Sequence, residues 1–295
     1  MNRKGFTLAE MLGVITILAI LGLLVFPAVD KSIKEGRKDL YSVQISNIEQ
    51  GAKEWISDNL FKAPDRDGES MILTLYQLKQ AGKIDNNVTN PITKKLFPDD
   101  LEIKITKTSG DYKTEFVENT GDDTDLTQYS PNTPNLKLNG DELVYLEYQK
   151  NSSSVYTDAG VTAKTSTGSN ITNVTTATKS SVGNVVLNIS YGQIGVYYIY
   201  YDAYEGDIKA RVVRTVIVRD SKAPVITVPA TTTVSRSNAA SYNLKGTVTV
   251  TDQSSYTLET DRTNLPSVSG TYTITYTATD VYGNTSEARR TIIVQ

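Results

Sequence analysis

The chain has 295 residues, 39% of them hydrophobic and 21% charged, with a net charge of −3. That length suits about two ordinary domains, and the near-neutral balance gives no electrostatic pull towards nucleic acid or an anionic surface. Cysteine and histidine are both absent, which excludes thiolate catalysis, Cys-ligated zinc, Ser-His-Asp hydrolysis and most other zinc chemistry; the expectation is a protein that is not an enzyme and carries no cofactor.

The first five residues, Met1-Asn2-Arg3-Lys4-Gly5, are short and basic. Phe6-Thr7-Leu8-Ala9-Glu10 follows, and then nineteen residues without a charge, Met11 to Val29. A run of that length crosses the hydrocarbon core of a bilayer as a helix. Arg3 and Lys4 place the N-terminus in the cytoplasm and everything after Val29 outside. The run is longer than the apolar region of a secretory signal, and Pro27-Ala28-Val29-Asp30 is a poor cleavage site. Glu10 stands one helical turn into the apolar segment, where a carboxylate is costly and usually has a partner. A plain anchor has no use for it, whereas a helix that docks against identical helices does.

Lys4-Gly5-Phe6-Thr7-Leu8-Ala9-Glu10 resembles the processing site of type IV prepilins, including those of Gram-positive bacteria. The resemblance implies that a membrane peptidase cuts after Gly5 and methylates the new amine of Phe6. It also implies that Glu10, fifth in the mature chain, pairs with the Phe6 amine of the adjacent subunit. The family's helix-interrupting proline corresponds to Pro27, which lacks a backbone donor and is expected to kink or loosen the helix. The implied partners are identical or related pilin subunits, the prepilin peptidase, the assembly machinery, the cytoplasmic membrane before assembly and an unknown surface ligand. The implied location is a single-pass, N-in membrane protein as precursor and an extracellular pilus once assembled. Two further readings stay open: a minor pilin or pseudopilin of a type II secretion or DNA-uptake system, and an N-terminally anchored surface-binding protein that never assembles.

Beyond the membrane, Ile33, Leu40, Val43, Ile48, Ala52, Trp55 and Ile56 recur at roughly helical spacing, an apolar stripe expected to lie against a small sheet. Lys31, Lys34, Arg37 and Lys38 fall on or near the exposed face, as a solvated juxtamembrane collar or as a contact for lipid headgroups or a neighbouring subunit. The segment Ala63 to Gly68 predicts a loop, and Thr74 to Ala81 a second helix, capped by Thr74 and stopped by Gly82. Leu101, Ile103 and Ile105 alternate with polar residues, as do Tyr112, Thr114 and Phe116, around Ser109-Gly110-Asp111; this is a hairpin signature. A long helix followed by a small antiparallel sheet has the layout of a pilin head over roughly residues 6–130. The acidic run Gly121-Asp122-Asp123-Thr124-Asp125 lacks a full calcium-loop pattern and predicts a solvated turn.

Ser130-Pro131-Asn132-Thr133-Pro134 reads as a linker, after which short Thr/Val/Tyr-rich runs predict β-sandwiches. An internal repeat makes two of them. Gly195 to Tyr201 aligns with Gly270 to Tyr276, Ala203 with Ala278, and, after one inserted residue, Arg214 to Val218 with Arg290 to Val294. Period-2 alternation turns Tyr197, Ile199 and Tyr201, and likewise Tyr272, Ile274 and Tyr276, inward. The Gly-x-Tyr-x-Ile-x-Tyr strand, the Asp280-x-x-Gly283-Asn284 turn, Asp158-Ala159-Gly160-Val161 and Asp220-Ser221-Lys222-Ala223-Pro224-Val225-Ile226 resemble bacterial immunoglobulin-like domains in tandem. Asp220, Asp252 and Asp280 are weak calcium candidates near the junction of the two repeats; turn and strand-end chemistry also accounts for them. The expected fold is therefore α+β: a leader (1–5), a transmembrane and assembly helix (6–29), an amphipathic helix with a small antiparallel pilin head (30–130), and two all-β immunoglobulin-like sandwiches (131–219 and 220–295).

Overall fold

A computed structural model of the chain describes residues 7–117 and 133–295. The acidic run at 121–125 and the linker residues Ser130, Pro131 and Asn132 lie outside the described residues.

Helix α1 spans Leu8–Asp58, and Pro27 lies within it without ending it. A short 3₁₀ turn, Leu60–Lys62, closes the helix before the predicted loop. Strands β1 (Ser70–Thr74), β2 (Glu102–Thr108) and β3 (Asp111–Val117) form an antiparallel sheet in the order β1-β2-β3. The β2–β3 hairpin turns at Ser109 and Gly110 with φ of 44° and 89°, the positive pair that matches the twist of its strands. Helix α1 packs on β2 and β3 through Ile48, Ala52, Trp55 and Ile56, all buried. Only this C-terminal half of the expected stripe is covered. Ile33, Leu40 and Val43 remain exposed, because the sheet begins further along the helix than the sequence spacing alone suggested. Strand β1 has no alternation to betray it, since all five of its residues are buried.

Helix α2 (Leu75–Gln80) is capped as expected by Thr74, with Gln77 completing a capping box. Gly82, at φ +69°, follows its end.

Among the described residues that follow there are twelve strands: β4 (Asn135–Leu138), β5 (Leu143–Glu147), β6 (Val161–Lys164), β7 (Thr175–Ser180), β8 (Gly195–Glu205) and β9 (Ile208–Arg219), then β10 (Val225–Thr227), β11 (Thr231–Val234), β12 (Thr249–Thr251), β13 (Tyr256–Thr260), β14 (Gly270–Asp280) and β15 (Thr285–Val294). The two sets have one topology. Each has a two-stranded antiparallel sheet, β4-β6 or β10-β12, and a four-stranded sheet, β5-β9-β8-β7 or β11-β15-β14-β13. In each, the first strand of the larger sheet runs parallel to the last: Leu143 pairs with Thr215, and Thr231 with Thr291. Thr215 and Thr291 are equivalent in the sequence alignment too. The repeat read from spacing is a repeat of connectivity.

By contact the chain forms two compact units, one of residues 1–142, 160–176 and 200–213 and the other of residues 143–159, 177–199 and 214–295. In the first, the capping residues of α2 also bind β9. The Val213 N–H donates to Gln77 Oε1 at 3.1 Å, Gln77 Nε2 donates to the Val213 carbonyl at 3.2 Å, and Thr74 Oγ1 donates to the Arg211 carbonyl at 2.9 Å. Arg211 in turn makes a bidentate pair with Asp202 at 2.7 and 2.8 Å, the geometry that makes such pairs strong. Tyr200 approaches Glu102 of β2 at 3.5 Å.

These contacts correct one expectation. Tyr197, Ile199 and Tyr201 are buried as predicted, but so are Tyr198 and Tyr200. Alternation presumes one wet face, and β8 has none along this stretch. Strand β14 keeps the simple pattern: Ile274, Tyr276 and Ala278 are buried between partly exposed neighbours, with Tyr272 half-buried. Its core, in the second unit, gathers Val234, Leu244, Leu265, Ile292 and Val294, with Ile226 of β10 against it.

The aligned arginines are both about 1% exposed, and a buried guanidinium needs acceptors. Arg290 finds neutral ones: Thr247 Oγ1 and the Tyr242 hydroxyl at 2.9 Å each, and Thr232 Oγ1 at 3.1 Å. Arg214 pairs instead with Asp158, which also accepts from the Tyr156 hydroxyl at 3.0 Å. Burial, and then the Asp158 charge, push the Tyr156 phenol up from 10.0 to about 12. A raised folded value stabilises the fold fully below the unfolded value and is lost as pH climbs through the folded one. We expect thermal stability to fall between about pH 10 and 12 for this reason. The phenolate difference spectrum between the wild-type protein and Tyr156→Phe should show a midpoint near 12, and Asp158→Asn should lower it.

Candidate functional site

The N-terminal turn of α1 is built by Thr7 and Glu10. Thr7 Oγ1 accepts from the Glu10 N–H at 3.3 Å, and Glu10 Oε2 accepts from the Thr7 N–H at 2.8 Å and the Thr7 hydroxyl at 2.9 Å. This reciprocal box satisfies donors that a helix start otherwise leaves open. The Thr-x-x-Glu spacing that announces it is plain in the sequence, yet a reading centred on the cost of a lone carboxylate passes over it. Both bonds fall on Oε2. Glu10 Oε1 makes no hydrogen bond among the described residues, so half of the carboxylate remains available at the exposed end of the helix.

From Leu8 to Val29 every described side chain is exposed, including Leu12 at 67% and Phe26 at 72%. By length and composition this helix can cross a membrane. Thr16 returns its hydroxyl proton to the Leu12 carbonyl at 2.8 Å, leaving no polar donor there to break the apolar surface. Thirteen large apolar side chains stand uncovered over this span. At about 1.5–3 kcal/mol for each side chain fully withdrawn from water, their burial is worth on the order of 20 kcal/mol. No other described residue supplies that cover. Just beyond, Lys34 pairs with Asp30 at 2.7 Å and Lys31 with Glu35 at 3.9 Å, both solvated. Gly5 and Phe6, on either side of the expected cleavage point, lie outside the described residues.

Asp220, Asp252 and Asp280 do come together. One carboxylate oxygen from each lies within 4.8 Å of the others, with Asp220 and Asp280 buried. Carboxylates so placed can hold a hard cation such as calcium, which takes 6–8 oxygens. The same carboxylates serve the local turns. Asp280 Oδ1 accepts from the Tyr282 and Asn284 N–H groups at 2.8 Å each, and Oδ2 accepts from Asn284 Nδ2 at 2.7 Å. Asp220 accepts from the Lys222 N–H at 3.1 Å and from the Ser254 hydroxyl, and Asp252 from the Ser254 N–H at 3.3 Å.

In the first unit, a cleft of about 1040 Å³ is lined by Trp55, Lys62, Gln80, Lys137, Asp141 and Glu142, among others. Its two acids share one cation, Lys62, at 3.3 Å each.

Residues 1–26 match a family model described as the prokaryotic N-terminal methylation motif. The motif supports a type IV pilin-like or pseudopilin precursor. Processing by prepilin peptidase, handling by pilus assembly machinery and membrane anchoring of the precursor follow at that level. No curated protein matches the chain. Among solved structures, extracellular cadherin domains 1–4 of protocadherin gamma B7 match at 10% identity and a TM-score of 0.24, over 66% of this chain and 57% of that one. The lipoprotein BT2262 from Bacteroides thetaiotaomicron matches at 17% and 0.23, over 53% and 98%. The M60 catalytic domain with two CBM51 domains of ZmpB from Clostridium perfringens matches at 11% and 0.27, over 66% and 33%. The chain thus spans less than two thirds of the first and third of these, and scores this low bear on neither fold nor role.

If the three aspartates act through their turns, Asp280→Ala should lower stability by about 1–3 kcal/mol, the usual cost of stranding buried donors. Thermal unfolding in chelator and in calcium should then show equal losses. A loss confined to calcium-containing buffer would assign the carboxylates to an ion instead.

Proposed function

We propose that this chain is a structural subunit of a type IV pilus-like filament, with no catalytic activity. The precursor sits in the cytoplasmic membrane with residues 1–5 inside; the peptidase removes them after Gly5, and the Phe6 amine is methylated. Assembly moves α1 from lipid into a bundle of like helices, where the apolar surface from Leu8 to Val29 gains protein cover. Glu10 meets the Phe6 amine of a neighbouring subunit. The head forms the fibre wall, and the two repeats, read as immunoglobulin-like domains, project outward for adhesion or motility.

One observation carries this reading: an apolar helix face that no other described residue covers begins at a carboxylate whose Oε1 makes no hydrogen bond among the described residues. The capping box refines the part assigned to Glu10. Its Oε2 holds the helix start, and its Oε1 is left for the amine, so one side chain does both without a rearrangement.

Glu10→Gln separates the two tasks, because an amide oxygen can still accept from Thr7 but cannot form an ion pair. We expect the variant precursor to insert and to be cleaved, while filament yield in sheared fractions falls by roughly tenfold or more, as losing a charge-assisted bond implies. Normal filament yield from Glu10→Gln and Glu10→Ala would remove the carboxylate from assembly.

A further inference from the structure

Among the groups that membrane anchoring and assembly do not use, one pair is buried almost completely. Lys79, in the last turn of α2, and Asp99, in the turn before β2, have side chains only 2% and 1% exposed, and Lys79 Nζ lies 2.7 Å from Asp99 Oδ1. Asp99 Oδ2 is buried with no hydrogen-bond partner among the described residues. Backbone bonds tie the start of α2 to the segment that carries Asp99: the Tyr76 N–H donates to the Asp99 carbonyl and the Leu75 N–H to the Leu101 carbonyl, each at 2.8 Å. A buried ion pair is poorly stabilising even when all its atoms are satisfied. Here one oxygen is not.

We propose that Lys79 and Asp99 condense to an intramolecular amide. A proton passes from Nζ to the carboxyl, leaving a neutral amine against a neutral acid. The Nζ lone pair attacks Cγ to form the N–C bond. The C–O bond to one carboxyl oxygen then breaks, and that oxygen leaves as water, carrying the transferred proton and a second one from Nζ. No oxidant, reductant or other reactant is required.

Three features favour the step. Burial, with Asp100 adding to it, raises the Asp99 pKa against the pull of Lys79, so protonation of the acid is within reach. Groups held in contact by rigid surroundings react as if at effective concentrations of about 10⁵–10⁸ M. The product removes two buried charges and the stranded oxygen at once, and the same exclusion of water slows hydrolysis back. The bond would close residues 79–99 into a covalent ring within the head, which neither membrane anchoring nor the assembly chemistry of Glu10 requires.

The test is the intact mass of the full chain purified in detergent, before and after prolonged incubation, followed by peptide mapping. The wild-type protein should be lighter than its sequence by one water, with the peptides carrying Lys79 and Asp99 joined. Lys79→Arg should keep its full mass. Asp99→Asn should reach the same linked product as wild type by losing ammonia in place of water. Should either variant fail to fold, the wild-type measurement still decides. A wild-type chain that stays at full mass, with Lys79 open to acylation once unfolded, overturns the proposal, as does a dehydration mapped to any other residues.

Discussion

Apolar surface that no other described part of the chain covers governs this molecule. Over the first six turns of α1 the side chains face outward on every side, and no sheet or loop of the described chain reaches them. Such a surface is tolerable only in lipid or among other helices. The head can therefore be built only on the C-terminal part of α1, where Ile48, Ala52, Trp55 and Ile56 meet the β1-β2-β3 sheet. The charged stretch between these regions holds Lys31 and Lys34 in local pairs with Glu35 and Asp30, a polar sleeve between greasy and folded sections of one helix.

The capped end follows from the same constraint. A helix that starts in an apolar setting cannot leave its first N–H groups to water. Thr7 and Glu10 supply the acceptors from within, and the carboxylate does so with one oxygen. The device recurs at α2, where Thr74 and Gln77 close a second box, buried this time, and Gln77 uses its amide to pair with both backbone groups of Val213. In each case a capping side chain retains capacity for a second partner. On α2 that partner is a strand of the same unit; on α1 the proposed one is the amine of another subunit.

Much of this was legible in the residues, for identifiable reasons. The apolar run, the Thr74 cap, the Ser109-Gly110 turn and the doubled β-repeat are local signals of length, spacing and turn chemistry, and each is present in the folded chain. Strand β1 was not legible, because burial on every side erases alternation. The dry outer face of β8 was hidden likewise: Tyr198 and Tyr200 read as solvent-facing until Glu102 and Arg211 are brought beside that strand by tertiary packing. Arg214 and Arg290 were aligned as sequence, but nothing in the spacing said that one would be neutralised by Asp158 and the other held by hydroxyls alone. The Lys79–Asp99 pair joins residues on different elements, with no spacing signal between them, and only the fold puts them in contact. At the candidate site, the motif around Gly5, Phe6 and Glu10 was readable, whereas the use of a single Glu10 oxygen in the capping box depends on side-chain geometry that spacing does not encode.

The most direct measurement is the mass and terminal sequence of the mature chain recovered from cells that carry intact assembly machinery. The proposed role predicts a chain that begins at Phe6 with a methylated amine. A chain that keeps Met1 and stays in the membrane fraction would contradict it.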